Sequence, residues 1–188
     1  MTQSFKLSKT RQLTFASLLT AIGIIIPMVM PLKIVIPPAS YTLASHVAIF
    51  VAMFISPFTA VLVSLGTSLG FQLAGFPLII VARAASHVVF AYVGANMLEK
   101  RPEWLATRNS KWTFALIINL IHAVAEVAVV FFLTQFGLNT ASENFLYVLI
   151  VLVGGGTVIH GMVDYFMSDY FAKQLATRAK IPVYPITE

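Results

Sequence analysis

Six long apolar runs with short connections between them dominate this chain of 188 residues. Of all residues 59% are apolar and only 10% are charged, whereas about 25% are charged in an average soluble domain. Six helices of about 20 residues, each long enough to cross a bilayer, would use about 120 residues. The pattern predicts one integral membrane domain over residues 1–188. It excludes a soluble enzyme and, because cysteine is absent, a disulfide-stabilised secreted domain.

The apolar runs predict an all-α bundle of six helices, because a spanning segment must satisfy its own backbone hydrogen bonds. The predicted helices cover residues of about 12–30, 41–55, 58–73, 76–98, 112–136 and 145–171. The second and third are near or below the roughly 17 residues that a span requires. We interpret them as two short tilted spans, although a helical hairpin around Pro57 or a re-entrant pair would also fit the pattern.

Basic residues concentrate in three regions that flank the predicted spans. They are Lys6, Lys9, Arg11, Lys100, Arg101, Arg108, Lys111, Lys173, Arg178 and Lys180. Lys and Arg collect on the cytoplasmic side of membrane proteins, so both termini and the 99–111 connection are predicted to be cytoplasmic. The predicted outer connections are 31–40, 74–75 and 137–144, and Lys33 is the only basic residue in them. The formal charge of +5 therefore indicates orientation, and no nucleic-acid partner is expected.

Polar and ionisable residues interrupt the predicted spans. An ionisable group there costs about 2.5–3.5 kcal/mol on insertion scales, so each one needs a physical reason. All four histidines belong to this set, which comprises His46, Arg83, His87, Asn119, His122, Glu126, His160 and Asp164. Spacings of three and four residues place them on one face of helices four, five and six. These faces must therefore line the bundle interior or a wet cavity.

The rise of 1.5 Å per residue predicts how deep each polar residue lies. Measured from the outer helix ends, His46, Arg83, Glu126 and His87 lie roughly 9–16 Å deep. His122, His160, Asn119 and Asp164 lie roughly 21–28 Å deep. The first group is predicted to form a binding site reachable from outside, separate from the second. Arg83 and Glu126 have opposite charges at similar depth, so they form either a structural ion pair or part of the ligand site.

Motifs for catalysis and metal binding are absent. No two histidines share a His-x-His or i, i+4 spacing, so neither a metal site nor a cofactor is expected. For His122 and His160 we favour interhelical hydrogen bonds.

The sequence lacks the catalytic motifs G-x-x-x-x-G-K-S/T, H-E-x-x-H and G-x-S-x-G, so uphill transport would need an ion gradient or a partner. An intramembrane enzyme using Glu126, His122 and Asp164 is disfavoured because no nucleophile accompanies them.

Glycine and proline positions add local expectations. Gly66, Gly70 and Gly94 are expected to permit close helix packing. Residues 154–156, three consecutive glycines, are expected either to weaken or bend helix six or to let its backbone approach a ligand. The apolar connection 31–38 contains three prolines that favour an extended form, and a lid over a cavity would suit it.

The chain resembles the substrate-binding S components of energy-coupling factor vitamin transporters in its short helices, its basic N-terminal tail and its small-residue first helix. Its middle third is most similar to the niacin-specific members. The stretches that carry this likeness are Ile34-Val-Ile-Pro-Pro-Ala-Ser-Tyr-Thr-Leu-Ala-Ser-His46, Ala52-Met-Phe-Ile-Ser-Pro57, and Gly75-Phe-Pro77 to Arg83-Ala-Ala-Ser-His87. The resemblance implies a multi-pass cell-membrane protein without enzymatic activity.

The resemblance also implies a mechanism and a site. The S component captures nicotinate from outside under its first loop, docks onto a membrane scaffold that carries two ATPase subunits, and releases the vitamin inside. The expected substrate-binding residues are Tyr41, His46, Arg83, His87 and Glu126, with Asn119, His122, His160 and Lys33 as further candidates. Docking in this family uses an A-x-x-x-A-type pattern on helix one. The matching positions here are Ser17-x-x-x-Ala21, with Ala16-x-x-x-Thr20 beside it, and either register could face the scaffold.

Two different roles within transport remain open at this point. The same capture mechanism could serve another small vitamin or precursor, such as pantothenate, pyridoxine or hydroxymethylpyrimidine. A self-sufficient proton-coupled carrier would also use buried histidines and carboxylates. The lack of visible inverted repeats disfavours such a carrier.

Overall fold

A computed structural model describes residues 7–138 and 143–178, and this part of the chain is mainly helical. Its elements are α1 (Lys9–Val29), β1 (Lys33–Ile36), β2 (Ala39–Thr42), α2 (Val47–Ile55), α3 (Pro57–Leu73), α4 (Leu78–Lys100), α5 (Arg108–Gln135) and α6 (Phe145–Thr177). Helices α1, α4, α5 and α6 are long and apolar enough to cross a membrane. The prediction of an all-α membrane protein is thereby confirmed. The predicted basic residues Lys6 and Lys180 and part of the 137–144 connection lie outside the described residues.

The predicted second helix is wrong at its start, because residues before Val47 are not helical. Strands β1 and β2 form an antiparallel hairpin in which Ile34 pairs with Tyr41. The backbone N–H groups of Ala44 and His46 donate to the Asp164 carboxylate instead of to helical carbonyls. The extended form expected for 31–38 is confirmed in β1, whose four residues are all exposed.

The segment from β2 to α2 nevertheless runs the length of the bundle. The hairpin follows the C-terminal end of α1, whereas the Ser56 hydroxyl donates to Gln12 near its N-terminal end. Helix α2 has nine residues and is therefore about 14 Å long, half the thickness of the hydrocarbon core. The remaining depth is covered by extended chain. Such a broken helix is tolerated only where protein side chains satisfy its backbone.

Helix α6 is continuous but changes its winding. Its first turn leads into a π-helical stretch, Val148–Gly155, and the α-helix Gly156–Thr177 follows. The glycine run therefore lies where the π-helix ends, as expected for a weakened position. At the other end the helix continues six residues beyond the predicted 171.

Glycines allow close contact between several helices, as predicted. A Cβ atom on Gly66 would lie 2.8 Å from the Thr20 side chain, and one on Gly70 would overlap Ile24. On α4, a Cβ at Gly94 would overlap Met53. Helix α3 thus packs directly on α1, which fixes the face that α1 turns toward the bundle.

This packing distinguishes the two candidate docking pairs on α1. Ala16 is 4% exposed in the core and Thr20 contacts Gly66, so both face inward. Ser17 and Ala21 are exposed on the other side of the same helix. The predicted docking residues therefore divide between two faces, because positions one apart on a helix point about 100° apart.

Candidate substrate-binding site

The Asp164 carboxylate accepts backbone hydrogen bonds from the non-helical segment that precedes α2. Its Oδ1 accepts from the Ala44 N–H at 2.8 Å, and its Oδ2 accepts from the His46 N–H at 2.9 Å. Oδ2 also lies 3.1 Å from His46 Nδ1 and 3.3 Å from His160 Nε2. Asp164 is fully buried and is not one of the predicted site residues. Its i, i+4 spacing from His160 is the signal in the sequence that points to it.

A second buried carboxylate, Glu126 on α5, joins α4 to α6. Its Oε2 accepts from Arg83 Nη2 at 2.8 Å and from Thr157 Oγ1 at 2.6 Å. Its Oε1 lies 3.1 Å from His87 Nε2 and 3.5 Å from His122 Nε2. The structural ion pair between Arg83 and Glu126, one of the two roles predicted for these residues, is therefore present in the fold. Sequence reasoning missed Thr157, because a threonine in an apolar run carries no distinctive signal.

The four histidines converge on one another. The ring centroid of His46 lies 4.7 Å from those of His87 and His122 and 5.0 Å from that of His160. The predicted separation into an outer and an inner group is therefore wrong. The predicted depths assumed helical rise along every segment. The chain before α2 is extended and rises more per residue than a helix, so His46 lies deeper than predicted.

Two hydrogen bonds, one to α4 and one to α6, hold the hairpin over this cluster. Arg83 Nη1 donates to the carbonyl of Pro38 at 2.9 Å. The Tyr41 hydroxyl donates to the carbonyl of Leu152 in the π-helical stretch, and its ring lies 5.5 Å from that of His160. A Cβ on Gly156 would overlap the Tyr41 ring, so this glycine is required for the approach. Tyr41, His46, Arg83, His87 and Glu126 are thus brought together as predicted.

Of the further candidates, the structure brings His122 and His160 to the cluster but not Lys33. Lys33 is exposed on β1, as are the other residues of that strand. Asn119 is fully buried one turn before His122, and its Nδ2 donates to the carbonyl of Ala115 in its own helix. Gly161 approaches it so closely that any Cβ would overlap Asn119 Oδ1. Asn119 therefore supports α5–α6 packing.

The site combines opposed charges with unused hydrogen-bonding capacity. We call Arg83, Glu126, Asp164 and the four histidines the polar cluster. Arg83 contributes one positive charge, and Glu126 and Asp164 contribute two negative charges, so with neutral imidazoles the polar cluster carries a net charge of −1. Among the described residues, Arg83 Nε, His87 Nδ1 and both ring nitrogens of His122 have no hydrogen-bond partner. Leaving buried polar atoms unpaired is costly, and such atoms are suited to a ligand.

Comparison with known proteins gives one informative relative. Over 184 residues the chain is 39% identical to the niacin transporter NiaX of Lactococcus lactis subsp. cremoris (strain MG1363), and the match covers 98% of the chain and 82% of the relative. No family model matches, and no solved structure matches. The chain belongs to the niacin-type S components of energy-coupling factor transporters.

Membership in the niacin-type S components confirms the resemblance found in the middle third of the sequence. The matched region extends over nearly the whole chain, so it includes the whole polar cluster. Together with the four helices long enough to cross a bilayer, it makes the chain a multi-pass membrane protein.

Proposed function

We propose that this chain is the vitamin-binding subunit of an ATP-driven importer and that it captures niacin, as nicotinate, from outside the cell. The observation that carries the proposal is the cluster of Arg83 and four histidines under a hairpin, all of them buried except the half-buried His160, in a chain related to a niacin transporter. Pantothenate, pyridoxine and hydroxymethylpyrimidine would suit the same membrane fold, but nothing among the described residues of the cluster favours any of them over nicotinate.

Arg83 is the group best suited to bind the nicotinate carboxylate. Its planar guanidinium can bind a carboxylate through two parallel hydrogen bonds. One of its nitrogens is held by Glu126 and another by the Pro38 carbonyl of the hairpin. Movement of the hairpin away from α4 breaks the bond to Pro38 and frees Arg83 Nη1. The same movement therefore opens the site and exposes the group that binds the carboxylate.

The imidazoles suit the pyridine ring of the same ligand. His87 and His122 lie with their rings at 89° and their centroids 4.8 Å apart, against the ring of Phe90. A flat aromatic ring binds well on such faces and edges. The pyridine nitrogen accepts a hydrogen bond, and His87 Nδ1, which has no partner among the described residues, is suited to donate it.

The proposed topology has six segments that cross the membrane and places both termini in the cytoplasm. Helix α3 has 17 residues and reaches the lower end of the spanning range, and the β2–α2 segment crosses as an extended and a helical half. The hairpin then lies outside, where the vitamin arrives. The basic residues at Lys9, Arg11 and Arg178 lie on the opposite side, as expected for cytoplasmic flanks.

Energy for release comes from partners in this proposal. The exposed face of α1 with Ser17 and Ala21 docks on a membrane scaffold subunit that carries two ATPase subunits. Small residues allow the close helix contact that association in lipid requires. The chain itself performs no catalysis.

Uptake into proteoliposomes tests the proposed role. The chain alone should bind nicotinate without accumulating it, and should accumulate it only with scaffold, ATPases and internal ATP present. A proton-coupled carrier would instead accumulate nicotinate alone when a pH gradient is imposed. Accumulation by the isolated chain would therefore contradict the importer and support the carrier.

A further inference from the structure

We infer that the polar cluster binds one divalent first-row metal ion of the Zn²⁺ class, with four protein ligands: His46, His87, His122 and Glu126. The ligand atoms that these four buried residues offer lie within 4.8 Å of one another. They come from the N-terminal end of α2 and from two neighbouring helices. Their spacing along the chain therefore predicted no such site.

The shortest distances in the cluster match the geometry that zinc requires. A tetrahedral Zn²⁺ bound at about 2.0–2.1 Å keeps its ligand atoms about 3.3–3.4 Å apart. Glu126 Oε1 lies 3.1 Å from His87 Nε2 and 3.5 Å from His122 Nε2. Two of the six edges of the tetrahedron are thus near their required length, and the other ligand atoms, all within 4.8 Å of one another, would move together to about 3.4 Å when the ion binds.

The ring of His122 is buried with its Nε2 3.5 Å from Glu126 Oε1, and it makes no hydrogen bond there. The residue is 0% exposed, and neither nitrogen has a hydrogen-bond partner among the described residues. A buried imidazole normally donates from one nitrogen and accepts at the other. Coordination of a cation by one of these nitrogens would satisfy an atom that the fold otherwise leaves unpaired.

The groups around the proposed ligands orient them as metal sites demand. Metal-bound histidines commonly donate their second N–H to a carboxylate, and His46 Nδ1 lies 3.1 Å from Asp164 Oδ2. This leaves His46 Nε2 for the metal. On the carboxylate ligand, Oε2 accepts from Arg83 and Thr157, which leaves Oε1 of Glu126 as the coordinating atom.

Charge gives the ion a role in the transport cycle. The cluster carries −1 when its histidines are neutral, which repels an anion, and a dication changes this to +1. Nicotinate would then bring the site to neutrality. This role rests on the proposed function, whereas binding of the ion does not, so the experiment measures metal and vitamin separately.

The test uses the full chain, purified in detergent without a polyhistidine tag and stripped with EDTA. Dialysis against micromolar Zn²⁺ followed by elemental analysis should give about one ion per chain, and Co²⁺ should give the intense visible absorption of tetrahedral coordination. His122→Gln should lower Zn²⁺ affinity at least about tenfold. Asp169→Asn, which removes a carboxylate beside Lys111 and Lys173, is the matched control and should retain the ion.

Three results would overturn the inference. The first is a folded wild-type chain that takes up no stoichiometric Zn²⁺ or Co²⁺, whatever the variants do. The second is unchanged affinity in His122→Gln. The third is loss in His160→Gln with retention in His122→Gln, which would move the ion to His46, His160 and Asp164. Nicotinate binding without metal would leave the proposed function intact and refute only the role of the ion.

Discussion

The ring of Tyr41 lies directly over Gly156, in space that any larger residue at position 156 would occupy. This contact lets the Tyr41 hydroxyl reach the Leu152 carbonyl and fixes the hairpin on α6. Together with the bond from Arg83 to Pro38, it is what holds the hairpin over the polar cluster. The hairpin can therefore be loosened by one methyl group without altering any polar residue.

Gly156→Ala should weaken nicotinate binding by about tenfold, mainly through faster dissociation, because Tyr41 is displaced and the hairpin opens. Gly155→Ala is the matched control, since its Cβ would meet only a backbone oxygen at 3.9 Å. Both substitutions add the same helix propensity, about 1 kcal/mol, so their difference isolates the contact. Stopped-flow experiments measure the rate of nicotinate dissociation from each variant. Equal rates in the two variants would show that the contact between Tyr41 and Gly156 does not keep the hairpin closed.

Arg83→Lys should lower nicotinate affinity by at least about tenfold while the charge is kept, because the two-pronged match to a carboxylate is lost. Arg83→Ala should abolish binding and also destabilise the fold by about 3–5 kcal/mol, since Glu126 is left as an unpaired buried charge. Calorimetric titration and thermal unfolding separate the two effects. Undiminished binding by folded Arg83→Ala would remove Arg83 from the site.

Helix α1 should separate transport from binding. Ala21→Leu and Ser17→Leu enlarge its exposed face, so they should abolish uptake with the partner subunits while nicotinate affinity stays within about twofold. Ala16→Leu, at the residue before Ser17 but on the buried face, should instead lower the unfolding temperature through overpacking. Normal uptake by both exposed-face variants would show that the docking surface lies elsewhere.

The sequence predicts the helical class and most candidate residues because lipid imposes strong rules. Ionisable residues such as Arg83 and Glu126 are costly in a membrane, so their presence alone marks a functional interior. Helix periodicity then places His87 on the same face as Arg83. These signals depend only on residues that are near one another in the sequence, so they hold for any tertiary arrangement.

What the sequence could not predict depends on contacts between distant segments. The non-helical chain before Val47 is stable only because Asp164, more than a hundred residues later, accepts its backbone hydrogen bonds. Apolar periodicity favours a helix there, and nothing near Ala44 indicates otherwise. The convergence of the four histidines follows from that departure, so the sequence does not predict it either.

Equilibrium binding of nicotinate to the purified chain, with no partner subunit present, shows whether this protein alone captures the vitamin. A panel should include nicotinamide, pantothenate, pyridoxine and hydroxymethylpyrimidine beside nicotinate. We expect one nicotinate to bind per chain, and nicotinamide to bind more weakly because it offers Arg83 no carboxylate. A folded chain that ignores nicotinate, or that binds another member of the panel more tightly, would contradict this expectation.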